Sequence, residues 1–170
     1  MDVDFLKTQM ASHATVIYDM NVIITDEQAC WRPNSNSWSI LEVINHLYDE
    51  ERFDFRVRLN MILHHPSKPW PSIDPGGWVK EREYNQRNLQ DSLEKFVAER
   101  RKSIDWLEDL SGVDWDTAGN TPWGGLMRAG DMLTAWVAHD LLHLRQLVEL
   151  QWQYLVLSQR PYEVGYAGEW

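Results

Sequence analysis

With 170 residues the chain is long enough to bury one sizeable core, and no linker-like stretch divides it, so a single domain over 1–170 is expected. A net charge of −10 and a pI near 4.9 exclude the broad cationic footprint of a nucleic-acid binder and disfavour an anionic membrane surface. Cys30 is the sole cysteine, which rules out an internal disulfide and any multi-thiolate zinc site; without a leader-like stretch or a membrane-spanning apolar run, the cytoplasm is the expected address.

Residues 3–24 have the apolar spacing of a first helix, with Phe5, Leu6, Met10 and Ile17 on one side and Asp2 or Asp4 as its cap. His13 falls at the margin of that side and reads as a structural or surface histidine rather than a ligand. Residues 25–38 are dense in Pro, Asn and Ser and form a connection. Ser39 and Glu42 then stand at capping-box spacing and start a second helix that runs to about residue 63. On its wheel His46 shares a face with Val43, Phe53, Val57 and Met61, and Glu50 lies one turn further on, about 40° away. His64 and His65 close the helix at its negative end, where a cation is welcome, and read as capping or solvent residues.

Four prolines crowd residues 65–77, which cannot continue the helix and read as a long crossover. Residues 80–110 form a third helix with Leu89, Leu93, Phe96, Val97, Ile104 and Leu107 on its apolar side; the ERRK run at 99–102 reads as a solvated face. Residues 112–130, with five glycines, read as a loop.

A fourth helix over residues 131–154 places His139 and His143 about 40° apart, on the side of Met132, Trp136, Leu147, Leu150 and Tyr154. Leu133, Val137, Leu141, Leu144 and Val148 widen the apolar arc, while Thr134, Ala138, Arg145 and Glu149 lie opposite. Asp140 falls inside the arc and needs a partner, because an unpaired buried charge is costly. The aromatic tail ending in Trp170 is expected to pack over a surface of this subunit or a partner.

Four helices with one long crossover between the second and third make an all-α four-helix bundle the expected architecture. In a bundle, His46 from the second helix and His139 and His143 from the fourth can bring three nitrogen donors around one divalent cation, with a position left open. The competing reading is three ordinary core histidines, since HxxxH alone recurs by chance.

The segments WSILEVINHLYDEE and, far downstream, WVAHDLLHLRQL, together with ACWRP before the second helix, resemble the DinB/YfiT-like superfamily across nearly the whole chain. The resemblance implies a four-helix bundle holding a divalent metal, zinc or nickel, through His46, His139 and His143. It also implies thiol transferase or isomerase chemistry with a low-molecular-weight thiol such as bacillithiol, mycothiol or glutathione, and a homodimer.

Such a centre can polarise an oxygen, lower the pKa of a bound water, or hold a thiol as thiolate. Glu50 is a candidate extra ligand or general base, against a plain role as partner to an Arg. Asp140 is a candidate to orient a ligand imidazole or to pair with a buried cation, and both it and Asp49 also fit as structural acceptors. Trp38, Trp123 and Trp136 are candidate pocket-lining residues, against core packing for each. Cys30 reads as inert, and no cluster of basic residues marks a phosphate-bearing co-substrate. The expected function is a metal-dependent enzyme transferring a small thiol to a small electrophilic substrate; a metal-dependent hydrolase and a non-catalytic metal-stabilised binding bundle are the alternatives.

Overall fold

The computed structural model describes residues 1–168, so the expectation attached to Trp170 lies outside the described residues. Helix α1 spans Val3–Asn21, capped by the Asp2 carboxylate, which accepts from the Phe5 N–H at 2.9 Å. It ends three residues before the expected boundary. Buried Asn21 folds its amide back onto the Ile17 carbonyl, and the chain leaves in a turn. The connection that follows carries a short helix, α2 (Asp26–Cys30), capped by Thr25.

The capping box of the next helix forms as spaced: Glu42 N–H donates to Ser39 Oγ at 3.2 Å and Ser39 N–H donates to Glu42 Oε2 at 2.8 Å. Helix α3 (Ile40–Glu50) is followed without a break by a π turn (Glu51–Phe55) and helix α4 (Arg56–His64). A π turn holds an extra residue, so the wheel angle of everything beyond it is displaced. Phe53, expected inward, is therefore 36% exposed, and Phe55 turns in instead, stacking on Trp136 with centroids 5.6 Å apart.

The third expected helix is also revised. Asp74 caps a short helix α5 (Pro75–Glu81) with Pro75 at its first position, where a missing N–H costs nothing. Glu83 then adopts left-handed φ 49° and a 3-10 turn follows, so the long helix α6 starts only at its Asn88 cap and spans Leu89–Glu108. The expected loop at 112–130 contains a small antiparallel hairpin, β1 (Ala118–Asn120) with β2 (Leu126–Arg128), registered Gly119 to Met127. Gly124 and Gly125, at φ 90° and 89°, make the reversal that residues with a Cβ resist. Helix α7 (Ala129–Ser158) completes a four-helix bundle of α1, α3 with α4, α6 and α7.

Each bundle helix crosses from one apolar cluster to another through a polar residue. Ile17, Leu47, Phe96 and Leu147 belong to the first cluster, and Met10, Leu59, Leu107 and Val137 to the second. Between them in sequence fall His13, Glu51, Arg100 and Asp140, all buried. The ERRK reading is thus half wrong: Arg101 and Lys102 are exposed, but Glu99 and Arg100 are inside. Arg100 is 1% exposed and donates from Nη1 to Asp140 Oδ2 at 2.5 Å and from Nη2 to Asp140 Oδ1 at 2.7 Å, while Nη2 also lies 2.7 Å from Glu51 Oε1. Burial penalises the Asp140 carboxylate, yet Arg100 outweighs it and, with His13 3.3 Å away, holds the pKa below the usual carboxylate range.

The outer arc of α7 differs from the expected one. Leu141 and Val148 are 55% and 42% exposed, because among the described residues no helix covers that flank. Among the described residues no helix is long and apolar enough to cross a membrane.

Removing one member of a fully buried ion pair strands the other. Asp140→Ala is expected to lower the unfolding free energy by about 3–5 kcal/mol, read from urea titration followed by circular dichroism.

Candidate metal centre

His46 lies on α3, four residues before Glu50 and just upstream of the π turn, and His139 and His143 lie one turn apart on α7. One ring nitrogen from each lies within 4.8 Å of the others, so the structure brings the three expected residues together. The ring centroids of His139 and His143 are 4.4 Å apart, and His46 stands 5.4 and 4.8 Å from them.

His143 Nδ1 contacts the Gln146 side-chain carbonyl at 2.8 Å, so Nδ1 carries the proton and Nε2 is the lone-pair nitrogen. That Nε2 lies 3.1 Å from His139 Nε2. Two nitrogens on a tetrahedral zinc at about 2.0–2.1 Å would be roughly 3.3 Å apart, so this pair already stands near a liganded spacing, and the 4.8 Å spread of the full set closes by movement of His46. Burial, reinforced by the neighbouring imidazoles, lowers His46 to about 2 and His139 to about 4; burial also lowers His143. All three rings are neutral at physiological pH, the state in which imidazole coordinates a metal. His46 Nδ1 is buried without a hydrogen-bond partner, an uncompensated polar atom of the kind a ligand set leaves when its ion is taken away. The donor set therefore fits a divalent cation.

Phe55, brought inward by the π turn, lies 5.0 Å from His139 and backs the cluster. Trp38 sits 4.9 Å from His46 and parallel to His143 at 6.5 Å. It also lines a cleft of about 400 Å³ with Ser37, Asn36, Gln146 and Leu150, so the cluster has a small-molecule cavity beside it.

Glu50 does not join the nitrogen cluster; it pairs with another carboxyl, Asp54, and the Arg58 charge acts on it more weakly. Both are buried, at 5% and 7% exposure. Burial first, then the Asp54 charge and hydrogen bond, raises the Glu50 pKa well above the carboxylate range, so the pair holds a proton near neutrality. Arg58 Nε lies 2.6 Å from Asp54, keeping the charge of the pair on that side.

Four other expected roles are corrected or narrowed, and that of Cys30 stands. Asp140 does not reach a ligand imidazole, because both its oxygens are taken by Arg100 and one is shared with His13; its buried-cation reading is the one that the geometry matches. Trp136 is not pocket-lining: it is 1% exposed and donates from Nε1 to Glu51 Oε1 at 2.7 Å. Trp123 is 66% exposed near the hairpin turn, edge-on to Trp70, and is likewise not part of the site. Asp49 is a structural acceptor for Tyr84 and Arg82, each at 2.6 Å. Cys30 contacts the Asn85 carbonyl, and burial pushes its thiol pKa up, away from reactivity.

Gln146, Asp54 and Phe55 were not singled out in the sequence. A Gln three residues after His143 is a usable signal, being one turn along the same face; Asp54 and Phe55 are placed by the π turn, which has no comparable signature.

The family model of the DinB superfamily matches residues 21–147. Among solved structures, the fold is similar to that of YfiT from Bacillus subtilis, a probable metal-dependent hydrolase with an unusual four-helix bundle topology. The match has a TM-score of 0.78 at 16% identity and covers 88% of this chain and 86% of that one. No curated protein matches the sequence.

A carboxyl whose folded pKa is raised favours the folded state below the unfolded value of about 4.3 and loses that contribution as pH rises toward the folded one. In metal-free protein, Glu50→Gln is therefore expected to become progressively more stable relative to the parent from pH 5 to pH 8, measured as the difference in urea midpoints.

Proposed function

The chain belongs to the DinB superfamily, and from that premise we propose a divalent-metal-dependent enzyme of hydrolytic type with His46, His139 and His143 as the ligands. The observation that carries the reading is the convergence of three neutral imidazoles beside a cleft, with a proton-holding carboxyl pair one helical turn from His46. Zinc and nickel both suit an all-imidazole set. A bound divalent cation supplies Lewis acidity and lowers the pKa of a coordinated water.

The residues divide the remaining work. Gln146 fixes the His143 tautomer and ring plane, so that Nε2 faces its neighbours without rearrangement. Phe55 and Trp38 fill the space around the imidazoles and limit water there. Glu50 holds a proton one turn from His46 on α3, and its partner Asp54, itself held by Arg58, raises its proton affinity so that it can give that proton up and take it back as a general acid. The cleft walled by Trp38 and edged by Asn36 and Gln146 admits a small polar molecule.

Transfer of a small thiol uses the same donors with sulfur in place of water. Its support is that Cys30 is packed on Asn85 with a raised pKa, so any nucleophilic sulfur would come from a co-substrate. A bundle in which the metal only stabilises the fold is the non-catalytic alternative.

His143→Ala is expected to abolish stoichiometric metal binding, read by elemental analysis of untagged protein, while helix content by circular dichroism stays near the parent value. Undiminished metal in that variant would reject the ligand assignment. With metal retained, Glu50→Gln is expected to slow turnover of activated ester or amide substrates about 10²–10⁴-fold. Turnover only when a thiol is added moves the assignment to S-transfer; loss of fold on chelation with no turnover of either kind moves it to the structural reading.

A further inference from the structure

Away from the three histidines, none of which lines it, Arg52, Arg82, Arg87 and Lys95 line one cavity of about 450 Å³. They come from the π turn, the crossover and α6, so sequence distance hides the cluster. The only carboxylates in the lining are Asp49 and Asp91, which leaves the cavity net positive in a chain of charge −10.

The three arginines are held in place before any ligand arrives. Asp49 accepts from Arg82 at 2.6 Å and lies 3.5 Å from Arg52, so this one carboxylate is shared between two guanidinium groups. Arg82 lies over the Trp78 ring at 4.1 Å, and Arg52 over Tyr48 at 4.8 Å. Arg87 is fixed by neutral acceptors only, Asn45 Oδ1 at 2.7 Å and the Arg82 carbonyl at 3.3 Å, with its guanidinium over Tyr84. Its charge is therefore positioned but not neutralised. Lys95 is exposed and belongs to none of the ion pairs among the described residues. The positive end of the 20-residue helix α6 adds to the same field, since Asn88 and Asp91 of its first turn lie in the lining.

We propose that this cavity binds a small organic phosphate, with Arg87 and Lys95 meeting the phosphate and its organic body lying along the wall where Arg52 and Arg82 cover Phe53 and Arg52 covers Tyr48. Fixed guanidinium forks match phosphate oxygens two at a time and lose little freedom on binding. The volume exceeds what an inorganic anion needs and falls in the range of small-molecule sites. The site is independent of the three-histidine cluster and of any reaction there.

The test is calorimetric titration of phenyl phosphate and of inorganic phosphate into the full-length protein at 0.1 M salt. Lys95 and Asp91 are exposed and make no side-chain ion pair among the described residues, so Lys95→Glu and Asp91→Asn report on charge at the cavity without threatening the fold. Phenyl phosphate is expected to saturate one site and to bind more tightly than inorganic phosphate. Lys95→Glu is expected to weaken it about tenfold or more, Asp91→Asn to tighten it several-fold, and His143→Ala to leave it unchanged. Absence of saturable binding overturns the proposal. So does an affinity indifferent to both charge changes, binding lost in His143→Ala but kept in Lys95→Glu, or inorganic phosphate binding as tightly as the phenyl ester.

Discussion

The ion pair between Arg100 and Asp140 sets the geometry on which the rest of the bundle depends. It joins α6 to α7 in the layer where both apolar clusters stop, and Glu51 draws the π turn into the same contact. A charge this deeply enclosed tolerates little rotation of either helix, because each departure leaves a desolvated group without its partner. Asp140 follows His139 directly in the chain. Fixing the azimuth of Asp140 on α7 therefore also fixes where His139, and one turn later His143, must point.

The same layer keeps its own charge from disturbing the imidazoles. At His139 the Asp140 carboxylate favours protonation and the Arg100 guanidinium opposes it, so burial and His143 decide the outcome. The result is a cluster of uncharged nitrogen donors directly beside strongly ionised groups. One turn beyond His46 on α3, Glu50 and Asp54 solve the opposite problem: two buried acids with one nearby Arg retain a proton instead of separating charge.

Much of this was readable from the sequence because it depends on straight-helix periodicity. His46, His139 and His143 fall on inward faces of unbroken stretches, and the box at Ser39 and Glu42 is a local device with a local signature. What was not legible depends on departures from regularity or on tertiary pairing. The π turn at Glu51–Phe55 exchanges Phe53 for Phe55 at the core, and left-handed Glu83 delays the start of α6. Arg100 sits in a run of charges that composition assigns to solvent; only the unpartnered Asp140 on another helix hints that one of those cations is needed inside. Trp123 and Trp136 show that an aromatic residue announces burial energy without saying which surface receives it.

The wide turn in the second bundle helix separates two properties that usually travel together. Winding the same residues as unbroken α-helix would give a more regular ladder of backbone bonds, yet it would turn Phe55, and all of α4 after it, relative to α3 and carry that ring away from His139. Spectroscopic helicity would register an improvement while the centre came apart. In this scaffold an apparent flaw in the ladder serves as the ruler, and perfecting the helix would erase the measurement.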